Sequence, residues 1–280
     1  MLDFKDKVVA VIGGASGLGK GMILRMAKGG AKFAIADRHG SNLAQFADQL
    51  RADGAEVFTK CLDARNDGDV MEFADATFAK YGGVDYYIYT AGMSSMGSIF
   101  RLPLSEWRML FEMNVMGQVH GIRAFIPRMI EQNRECYVIN TASNAGLETN
   151  AYLPAYFMSK HAAVSLSESL TIELQAIGSK VKAYVFCPGL VQTPLSYNSA
   201  EMRVEDPYYT SDEYQKLTQL GKNALANGMT MDEAMDRFFQ GLEADNFYIR
   251  THDNEEEQVR YRTEMVLNRT RPLPIPMRAK

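Results

Sequence analysis

The amino-acid sequence predicts a single α/β domain built on a doubly wound parallel sheet of about seven strands. Two observations predict this fold class. Short β-branched runs alternate with longer segments of helical periodicity up to about residue 195, which is typical of folds whose helices cover both faces of a parallel sheet. The same stretch contains no repeat of fixed period and no linker. One domain over residues 1–252 is therefore expected rather than two.

Composition narrows the class of protein. Hydrophobic residues make up 46% of the 280 residues and charged residues 23%, as in ordinary globular chains. The net charge of −4 argues against nucleic acid or an anionic membrane as the main partner. No apolar run approaches the roughly 18 residues of a transmembrane helix, and no secretory signal is visible. Cys61, Cys136 and Cys187 have no metal-ligand spacing, so we expect no metal site and a reducing cytoplasm.

The first half of the chain is expected to contain four strands and three helices. Each strand is a short run rich in β-branched or aromatic residues, and each helix has apolar residues spaced three or four apart. Ser41 has the side chain of an N-cap residue for the second helix. The predicted bounds, in chain order, are Lys7–Ile12, Gly17–Lys28, Lys32–Ala36, Ser41–Ala52, Glu56–Lys60, Asp67–Tyr81 and Val84–Thr90.

The second half is expected to contain two long helices and three further strands, with Pro127 bending or ending the first of these helices. The predicted bounds are Ser105–Ile130, Tyr137–Thr141, Ala155–Ile177, Lys182–Phe186 and Phe247–Arg250. Residues 195–228 mix tyrosines, methionines and polar side chains without a clean period, which favours an irregular substrate lid. Residues 253–280 are expected to form a surface tail, part helical and part extended.

The first strand runs into a glycine-rich turn, Gly13-Gly14-Ala15-Ser16-Gly17-Leu18-Gly19. Gly13 allows a sharp turn, Gly17 allows the backbone to approach a pyrophosphate, and Gly19 allows close packing of helix on strand. The N-terminus of the following helix offers free N–H groups to phosphates, with Ser16 and Leu18 beside them. Glycine-rich turns of this kind also occur without any ligand, so that alternative stays open.

Asp37 ends the second strand, where dinucleotide sites place the acid that binds the adenosine ribose hydroxyls. A carboxylate there accepts hydrogen bonds from a 2′-hydroxyl and repels a 2′-phosphate, which favours NAD over NADP. Arg38 follows directly and weakens that repulsion, and an ordinary surface aspartate remains the alternative. Asp63, just after the third strand, is a candidate for the adenine, with a turn-forming role equally open.

Tyr156 and Lys160 stand four residues apart on one predicted helix and therefore share a face. An ammonium about 4 Å from a phenol favours the phenolate by roughly 4 kcal/mol at an effective dielectric constant of about 20. The pKa of Tyr156 is therefore expected to move toward neutrality, which would suit a general acid or base. The same spacing is common by chance in helices.

Two polar residues complete this candidate site. Ser143 ends the fifth strand, on the edge of the sheet that carries the glycine turn, where its hydroxyl can bind a substrate oxygen. Asn114 is a helix-unfriendly residue in an apolar run. Its alternative role is that of a satisfied buried amide.

In combination these motifs resemble the classical short-chain dehydrogenase/reductase family. The resemblance covers residues 5–195, with the motifs in the family's order and at similar spacings. The motifs that carry it are Gly13-xxx-Gly17-x-Gly19, Asp37, Asn114, Ser143, Tyr156-xxx-Lys160 and Pro188-Gly189-Leu-Val-Gln-Thr193.

The resemblance implies a seven-stranded Rossmann sheet and a nicotinamide cofactor. It implies that Asn114, Ser143, Tyr156 and Lys160 form the catalytic tetrad, that Lys160 binds the nicotinamide ribose, and that Asn114 holds a water connecting Lys160 to solvent. The residues implied to line the nicotinamide are Pro188, Gly189, Val191 and Thr193. Relatives of the family pair their long helices between subunits, so a homotetramer, or failing that a homodimer, is expected.

The sequence departs from the family pattern at two places. Ile12 stands where the family usually has threonine, and Tyr89-Thr90-Ala91-Gly92 replaces Asn-Asn-Ala-Gly after the fourth strand. Ala91 and Gly92 can still approach the cofactor, and Thr90 can replace the hydrogen bonds of one amide. Both changes affect residues that hold the sheet and its loops in place, rather than the residues expected to carry out the reaction.

The function expected from these observations is NAD-dependent hydride transfer between the nicotinamide and a secondary alcohol or ketone. The alternatives are a cofactor-sensing regulatory or binding protein on the same scaffold, and a dehydratase or epimerase using the same Tyr–Lys chemistry. A bulky hydrophobic or aromatic substrate is expected under the lid. The residues expected to contact it are Tyr197, Met202, Tyr208 and Tyr209 of the lid, with Met93, Leu147 and Tyr152 opposite. These aromatic residues could instead pack within the lid or against another subunit.

Overall fold

The computed structural model describes residues 2–200, 203, 205–253 and 255–273, without the side chains of residues 196–198 and 255. Its centre is one parallel sheet in which seven strands follow the order β3-β2-β1-β4-β5-β6-β7. The strands are β1 Val8–Ile12, β2 Lys32–Asp37, β3 Val57–Cys61, β4 Tyr86–Tyr89, β5 Cys136–Thr141, β6 Val181–Cys187 and β7 Tyr248–Arg250. The predicted fold class is confirmed, and each predicted strand is present with small shifts of its ends.

Helices cover both faces of the sheet. They are α1 Gly17–Ala27, α2 Gly40–Ala52, α3 Asp67–Tyr81, α4 Leu104–Phe111, α5 Gly117–Glu131, α6 Pro154–Ala176, α7 Leu195–Ala200, α8 Asp212–Ala226, α9 Met231–Glu243 and α10 Glu255–Leu267. Helices α3 to α6 pack on one face and α1, α2 and α9 on the other. No helix among the described residues is long and apolar enough to cross a lipid bilayer.

The two-sided covering explains why the strands are apolar along their whole length. In β1, Val9 and Val11 belong to the core under α1 and α9, whereas Val8, Ala10 and Ile12 belong to the core under α3 and α5. Successive side chains point to opposite faces of a sheet, so a strand covered on both faces needs apolar residues at every position.

The long helix predicted over Ser105–Ile130 is divided into α4, a π-helical segment at Glu112–Met116, and α5. In the π segment, Gly117 N–H donates to the carbonyl five residues earlier, at Glu112. The prediction that Pro127 bends or ends a helix is not supported as an ending, because α5 continues through it to Glu131. Asn114 lies within this π segment. Single π turns inside α-helices frequently occur at functional sites.

Residues 195–228 are more regular than predicted. They contain α7, a 3₁₀ turn at Pro207–Thr210, and α8, which begins at the N-cap Ser211. The sequence showed no clean period here because tyrosines that pack inward alternate with polar residues. The helix α9 was not predicted, although Thr230 and Glu233 form a capping box at its start. Ser41 is not an N-cap, because α2 begins one residue earlier, at Gly40.

Candidate active site

The glycine turn holds the ends of β1 and β4 close together. Gly13 has φ +87°, and its N–H donates to the Ala36 carbonyl at 2.8 Å. A Cβ on Gly13 would lie 2.4 Å from the backbone nitrogen of Ala91, and a Cβ on Gly19 would lie 2.4 Å from the Gly13 carbonyl oxygen. A side chain at either position would therefore push apart the strand ends or the start of α1. The space in front of the α1 N-terminus stays open.

Thr90 replaces the amide that the family pattern places after β4. Its hydroxyl lies 2.9 Å from the carbonyl oxygen of Gly13 and 3.2 Å from that of Ile12, and it can donate to either. Thr90 therefore has a hydrogen bond available to the end of β1, and its replacement of the family's amide stays a prediction. The hydroxyl fixes the end of β1 from the β4 side.

Asp37 is buried at the end of β2, beside the glycine turn. Its two carboxylate oxygens each accept a backbone N–H at 3.0 Å, one from Ala15 in the turn and one from His39. Each oxygen retains lone pairs for further donors. The carboxylate therefore joins strand β2 to the glycine turn at one end of a cleft.

The cleft runs from β2 across the glycine turn to the segment after β6. Its lining residues are Ile12, Gly13, Ser16, Gly17, Leu18, Asp37, Arg38, His39, Leu62, Ala64, Thr90, Ala91, Gly92, Met93, Met113, Thr193, Pro194 and Leu195. The structure thus brings together most of the residues that the sequence assigns to a cofactor. Pro188, Gly189 and Val191 are not among this lining set: Pro188 contacts Ser143 through its carbonyl, and Gly189 N–H donates to the Thr251 hydroxyl.

Asp63 lies next to the cleft, but its carboxylate is engaged within its own loop. Both oxygens accept hydrogen bonds from Arg65, at 2.5 to 3.0 Å. Burial alone would raise the pKa of Asp63, but the bonds from Arg65 hold it below its ordinary value. The neighbours Leu62 and Ala64 line the cleft. A contact of Asp63 with the adenine stays a prediction.

The other end of the site is formed by α6 and the end of β5. The Ser143 side chain lies close enough to the Tyr156 phenol to lower its pKa. Lys160 Nζ donates to the Thr141 carbonyl at 3.2 Å and lies 5.6 Å from the centre of the Tyr156 ring. The serine, the tyrosine and the lysine are thus one cluster, as the sequence predicts.

Asn114 fixes the loop that follows β4. Its amide oxygen accepts Met93 N–H at 2.8 Å, and its amide nitrogen donates to the Met93 carbonyl and the Ser159 hydroxyl, both at 2.9 Å. The buried side chain is therefore satisfied, which was the alternative for this residue. A Cβ on Gly92 would lie 3.4 Å from Asn114 Oδ1 and 3.6 Å from Lys160 Nζ, so the cleft reaches the Ser143–Tyr156–Lys160 cluster here.

Burial, rather than the charge of the Lys160 ammonium, has the largest effect on the pKa of Tyr156. It raises the pKa of the phenol, and only the neighbouring Ser143 side chain lowers it. The expected shift toward neutrality is therefore wrong in this structure. Burial also lowers the pKa of Lys160 to about 8, because a low-dielectric site disfavours every charged form.

Two polar residues near the site were not predicted. Ser159 accepts from Asn114 and donates to the Tyr156 carbonyl, linking α6 to the π segment. Its position three residues after Tyr156, on the same helical face, is the signal that could have found it. Glu148 follows Ser143 in the same loop, and burial raises its pKa to about 7. No sequence pattern indicates that Glu148 is buried.

The side chains expected around the substrate divide into two groups. Met93 lines the cleft, and Leu147 is half-buried beside the α6 N-terminal half. Tyr152 faces a different cavity, with Phe100 and Trp107, so its placement opposite the lid is wrong. The side chain of Tyr197 and the whole of Met202 lie outside the described part of the chain.

Tyr208 and Tyr209 pack within the lid, which was the alternative for them. Tyr208 is buried, its hydroxyl accepts Ser98 N–H, and its ring packs edge-on against Tyr214. The Tyr209 hydroxyl donates to Glu106 at 3.0 Å. These rings therefore hold the lid onto the chain after β4 and do not offer a free contact surface.

Comparison with known proteins places this geometry in a family. The short chain dehydrogenase family model matches residues 7–204. The chain is 34% identical over 257 residues to a "CLA biosynthesis dehydrogenase/reductase" of Lactiplantibacillus plantarum, covering 90% of each. It is 31% identical over 254 residues to a 1-deoxy-11-beta-hydroxypentalenate dehydrogenase of Streptomyces avermitilis, covering 90% of this chain and 86% of that one.

A solved structure with a very similar fold is also a short chain dehydrogenase/reductase. A short chain dehydrogenase/reductase from Burkholderia phymatum, determined in complex with NAD, superposes with a TM-score of 0.94 at 31% identity. The alignment covers 99% of this chain and 100% of that one. With the glycine turn, Asp37 and the Ser143–Tyr156–Lys160 cluster arranged on one sheet edge, the chain belongs to the short-chain dehydrogenase/reductase family of oxidoreductases.

Proposed function

We propose that this protein is an NAD-dependent oxidoreductase that interconverts a secondary alcohol and a ketone. The observation that carries the proposal is the grouping of the Ser143 and Tyr156 side chains, with Lys160 beside the Tyr156 ring, at the end of a cleft lined by the glycine turn. A bound nicotinamide would supply the hydride. The protein then has to hold the substrate oxygen and exchange one proton with it.

Tyr156 is the group proposed to exchange that proton. Because burial raises the pKa of its phenol, the hydroxyl is protonated at neutral pH and serves as a general acid toward a ketone oxygen. Ser143 would donate a second hydrogen bond to the same oxygen. Lys160, with a pKa of about 8, is mostly charged at neutral pH and stabilises the phenolate that forms when Tyr156 gives up its proton.

The chain has residues that fit each part of the cofactor. The part of the cleft lined by Ser16, Gly17 and Leu18 at the α1 N-terminus suits the pyrophosphate, and Asp37 suits the adenosine ribose hydroxyls. Gly92 and Thr193 would lie along the nicotinamide half. Asp37 would repel a 2′-phosphate, and the relative from Burkholderia phymatum was solved with NAD. Both support a preference for NAD over NADP.

A bulky hydrophobic or aromatic substrate is proposed for the space between the lid and the catalytic cluster. Met93, Met113 and Leu195 give the cleft apolar walls, and Leu147 follows Ser143 at the loop's end.

The three cysteines are free thiols, which supports a reducing compartment such as the cytoplasm.

The direct test is a screen of secondary alcohols and ketones with NAD(H) and NADP(H), followed by the absorbance of the reduced nicotinamide. The expected result is turnover with a higher kcat/KM for NAD. Tyr156→Phe should lose turnover by orders of magnitude while it still binds NADH, measured by fluorescence. Turnover of the variant near the wild-type rate would contradict the mechanism. NADH binding without turnover of any alcohol or ketone would favour a cofactor sensor, and a product formed without a change in nicotinamide absorbance would favour a dehydratase or epimerase.

A further inference from the structure

A second cavity shares no lining residue with the cleft at the glycine turn. Its volume is about 680 Å³, which is within the range of about 300–1,000 Å³ that small-molecule sites occupy. The proposed mechanism uses none of its residues. They come from the chain after β4, from α4, from the loop before α6, from α6 and from α10, and are Ser98, Ile99, Phe100, Trp107, Thr149, Asn150, Ala151, Tyr152, Pro154, Phe157, Met158, His161 and Arg262.

Much of the wall of this cavity is apolar and faces solvent. Phe100 is 93% exposed and Tyr152 is 51% exposed, and Ile99 and Met158 are exposed beside them. The Trp107 side chain between these elements is half-buried. Large apolar side chains that are exposed as a group are typical of binding sites. The wall therefore predicts a ligand with a hydrophobic body.

The loop that carries Tyr152 is held in a strained conformation. Tyr152 has φ +66°, in the left-handed region that bulky side chains rarely adopt. Its carbonyl accepts Gly97 N–H at 2.9 Å, which ties the loop to the chain after β4. Strain of this kind persists where the surrounding structure imposes it, and it is frequent at ligand sites. The aromatic wall is thus formed before any ligand binds.

One side of the wall carries a positive charge. Arg262 of α10 is half-buried, and no hydrogen bond or ion pair with another described residue engages its guanidinium. The charge acts on His161 of α6, since burial lowers the pKa of that imidazole and the guanidinium lowers it further. No acidic side chain is among the described lining residues. The charge of Arg262 is therefore not balanced within the wall.

This charge decides which kind of hydrophobic ligand fits. A guanidinium binds a carboxylate through two parallel N–H bonds, and such bonds are stronger than those between neutral groups. The aromatic side chains by themselves would also suit a cation, but Arg262 would repel it. The combination favours an acid with an apolar chain or ring.

We propose that this cavity is a second binding site, for a hydrophobic carboxylate. Its acid group pairs with Arg262, and its apolar body lies against Phe100, Trp107 and Tyr152. The inference goes beyond the proposed oxidoreductase function and does not rest on it, because binding at this cavity requires neither the cofactor nor turnover.

Trp107 is the one tryptophan of the chain, so its fluorescence reports on this cavity directly. Decanoate, added to the full-length protein below the concentration at which it forms micelles, should change the emission of Trp107 with a saturable curve. Octanoate, which is two methylenes shorter, should bind about tenfold more weakly. Decanol, which lacks the charge, should also bind at least about tenfold more weakly than decanoate. Decyltrimethylammonium should not displace decanoate.

Arg262→Met removes the charge and keeps an unbranched side chain. Its affinity for decanoate should fall at least about tenfold, whereas its affinity for decanol should stay at the wild-type value because the apolar wall is intact. The matched control is Arg260→Met on the same helix, since Arg260 is 72% exposed and pairs with Glu256. This control should bind decanoate as the wild type does. Equal decanoate affinities of the wild type and Arg262→Met would overturn the proposal.

Two other occupants of the cavity would be recognised in the same titration. Decanoate binding that appears only after deletion of residues 274–280 would mean that the C-terminal segment fills the cavity. Decanoate affinity that falls as the protein concentration and the sedimentation coefficient rise would mean that a second copy of the chain covers it. Either result would overturn the proposal, as would a Trp107 emission that decanoate leaves unchanged in both the full-length and the shortened chain.

Discussion

Lys160 shows how a buried charged side chain acts against stability. It is 4% exposed, and burial lowers its pKa from 10.5 to about 8. Below pH 8 the lysine is charged in both the folded and the unfolded chain, so the full cost of burying the ammonium is present. Between pH 8 and 10.5 the folded chain releases the proton first, and stability should therefore rise with pH across this window.

Lys160→Met should make the protein more stable at neutral pH, by up to about 3 kcal/mol, because each unit of pKa shift corresponds to about 1.4 kcal/mol. The gain should shrink toward pH 10, where the wild-type lysine is neutral. Urea denaturation at both pH values measures the difference, with the exposed Lys28→Met as control. A variant that is less stable than the wild type at pH 7 would show that the lysine's hydrogen bond outweighs its burial.

At the scale of residues, the sequence predicted that Ser143, Tyr156 and Lys160 lie together. It did not predict the pKa values of Tyr156 and Lys160. The spacing of Tyr156 and Lys160 fixes that they share a helical face, because helical geometry depends on the backbone alone. Their pKa values depend on burial by segments distant in sequence, such as the loop after β4 that Asn114 holds. The satisfied amide of Asn114 likewise follows from tertiary contacts that no local pattern encodes.

At the scale of elements, the lid is fastened to α4 by a buried ion pair. Glu106 is fully buried, and its Oε1 accepts from Arg203 Nε at 2.6 Å and from the Tyr209 hydroxyl. The Arg203 guanidinium also lies 5.8 Å from the Tyr209 ring and 5.6 Å from the Tyr214 ring. A second pair, Arg101 with Glu213, joins the same two regions but is exposed. Buried pairs are costly to break, whereas exposed ones contribute little.

Glu106→Gln should therefore open the lid. Chymotrypsin cleavage after Tyr208, Tyr209 and Tyr214 should become at least about tenfold faster, since about 1.4 kcal/mol of lost closure corresponds to that factor. NAD with substrate should suppress the cleavage in the wild type. Arg101→Gln, which breaks only the exposed pair, should cleave at nearly the wild-type rate. Equal cleavage of the two variants would mean that Glu106 does not hold the lid.

The elements also show where sequence periodicity is informative. Strands covered on both faces and helices with one apolar face were predicted to within a few residues, because burial imposes their pattern directly. The lid helix α8 was missed because Tyr214 is its one buried residue among the described side chains, so no run of buried apolar residues marks it. The division of the long helix at Glu112–Met116 depends on one extra backbone residue, which leaves no signal in composition.

At the scale of the whole molecule, exposed apolar side chains lie along the α4 to α6 face. Phe111, Met158 and Ile172 are exposed there, at 39%, 43% and 64%. Val115 in the π segment and Val164 in α6 are buried in their own chain, because these two elements pack against each other. The exposed residues remain enough to support self-association through this face.

The protein should therefore sediment as a homotetramer, or failing that a homodimer, of the 31.3 kDa chain. Ile172→Glu should shift the equilibrium toward the monomer, since it places a charge in the contact. Leu220→Glu, at a similarly exposed position on α8, should not. A stable wild-type monomer at micromolar concentration would refute the assembly.

The lid also begins and ends at a single point. Val191 and Met229 form a parallel bridge, in which Gln192 N–H donates to the Met229 carbonyl and Met229 N–H to the Leu190 carbonyl. The intervening segment can thus be lengthened, shortened or exchanged without moving β6 or β7, and each doubling of its length costs only about 0.6 kcal/mol in loop closure. Natural selection, or an engineer grafting a foreign segment between these two residues, can therefore change the wall that the segment forms independently of the glycine turn and the Ser143–Tyr156–Lys160 cluster.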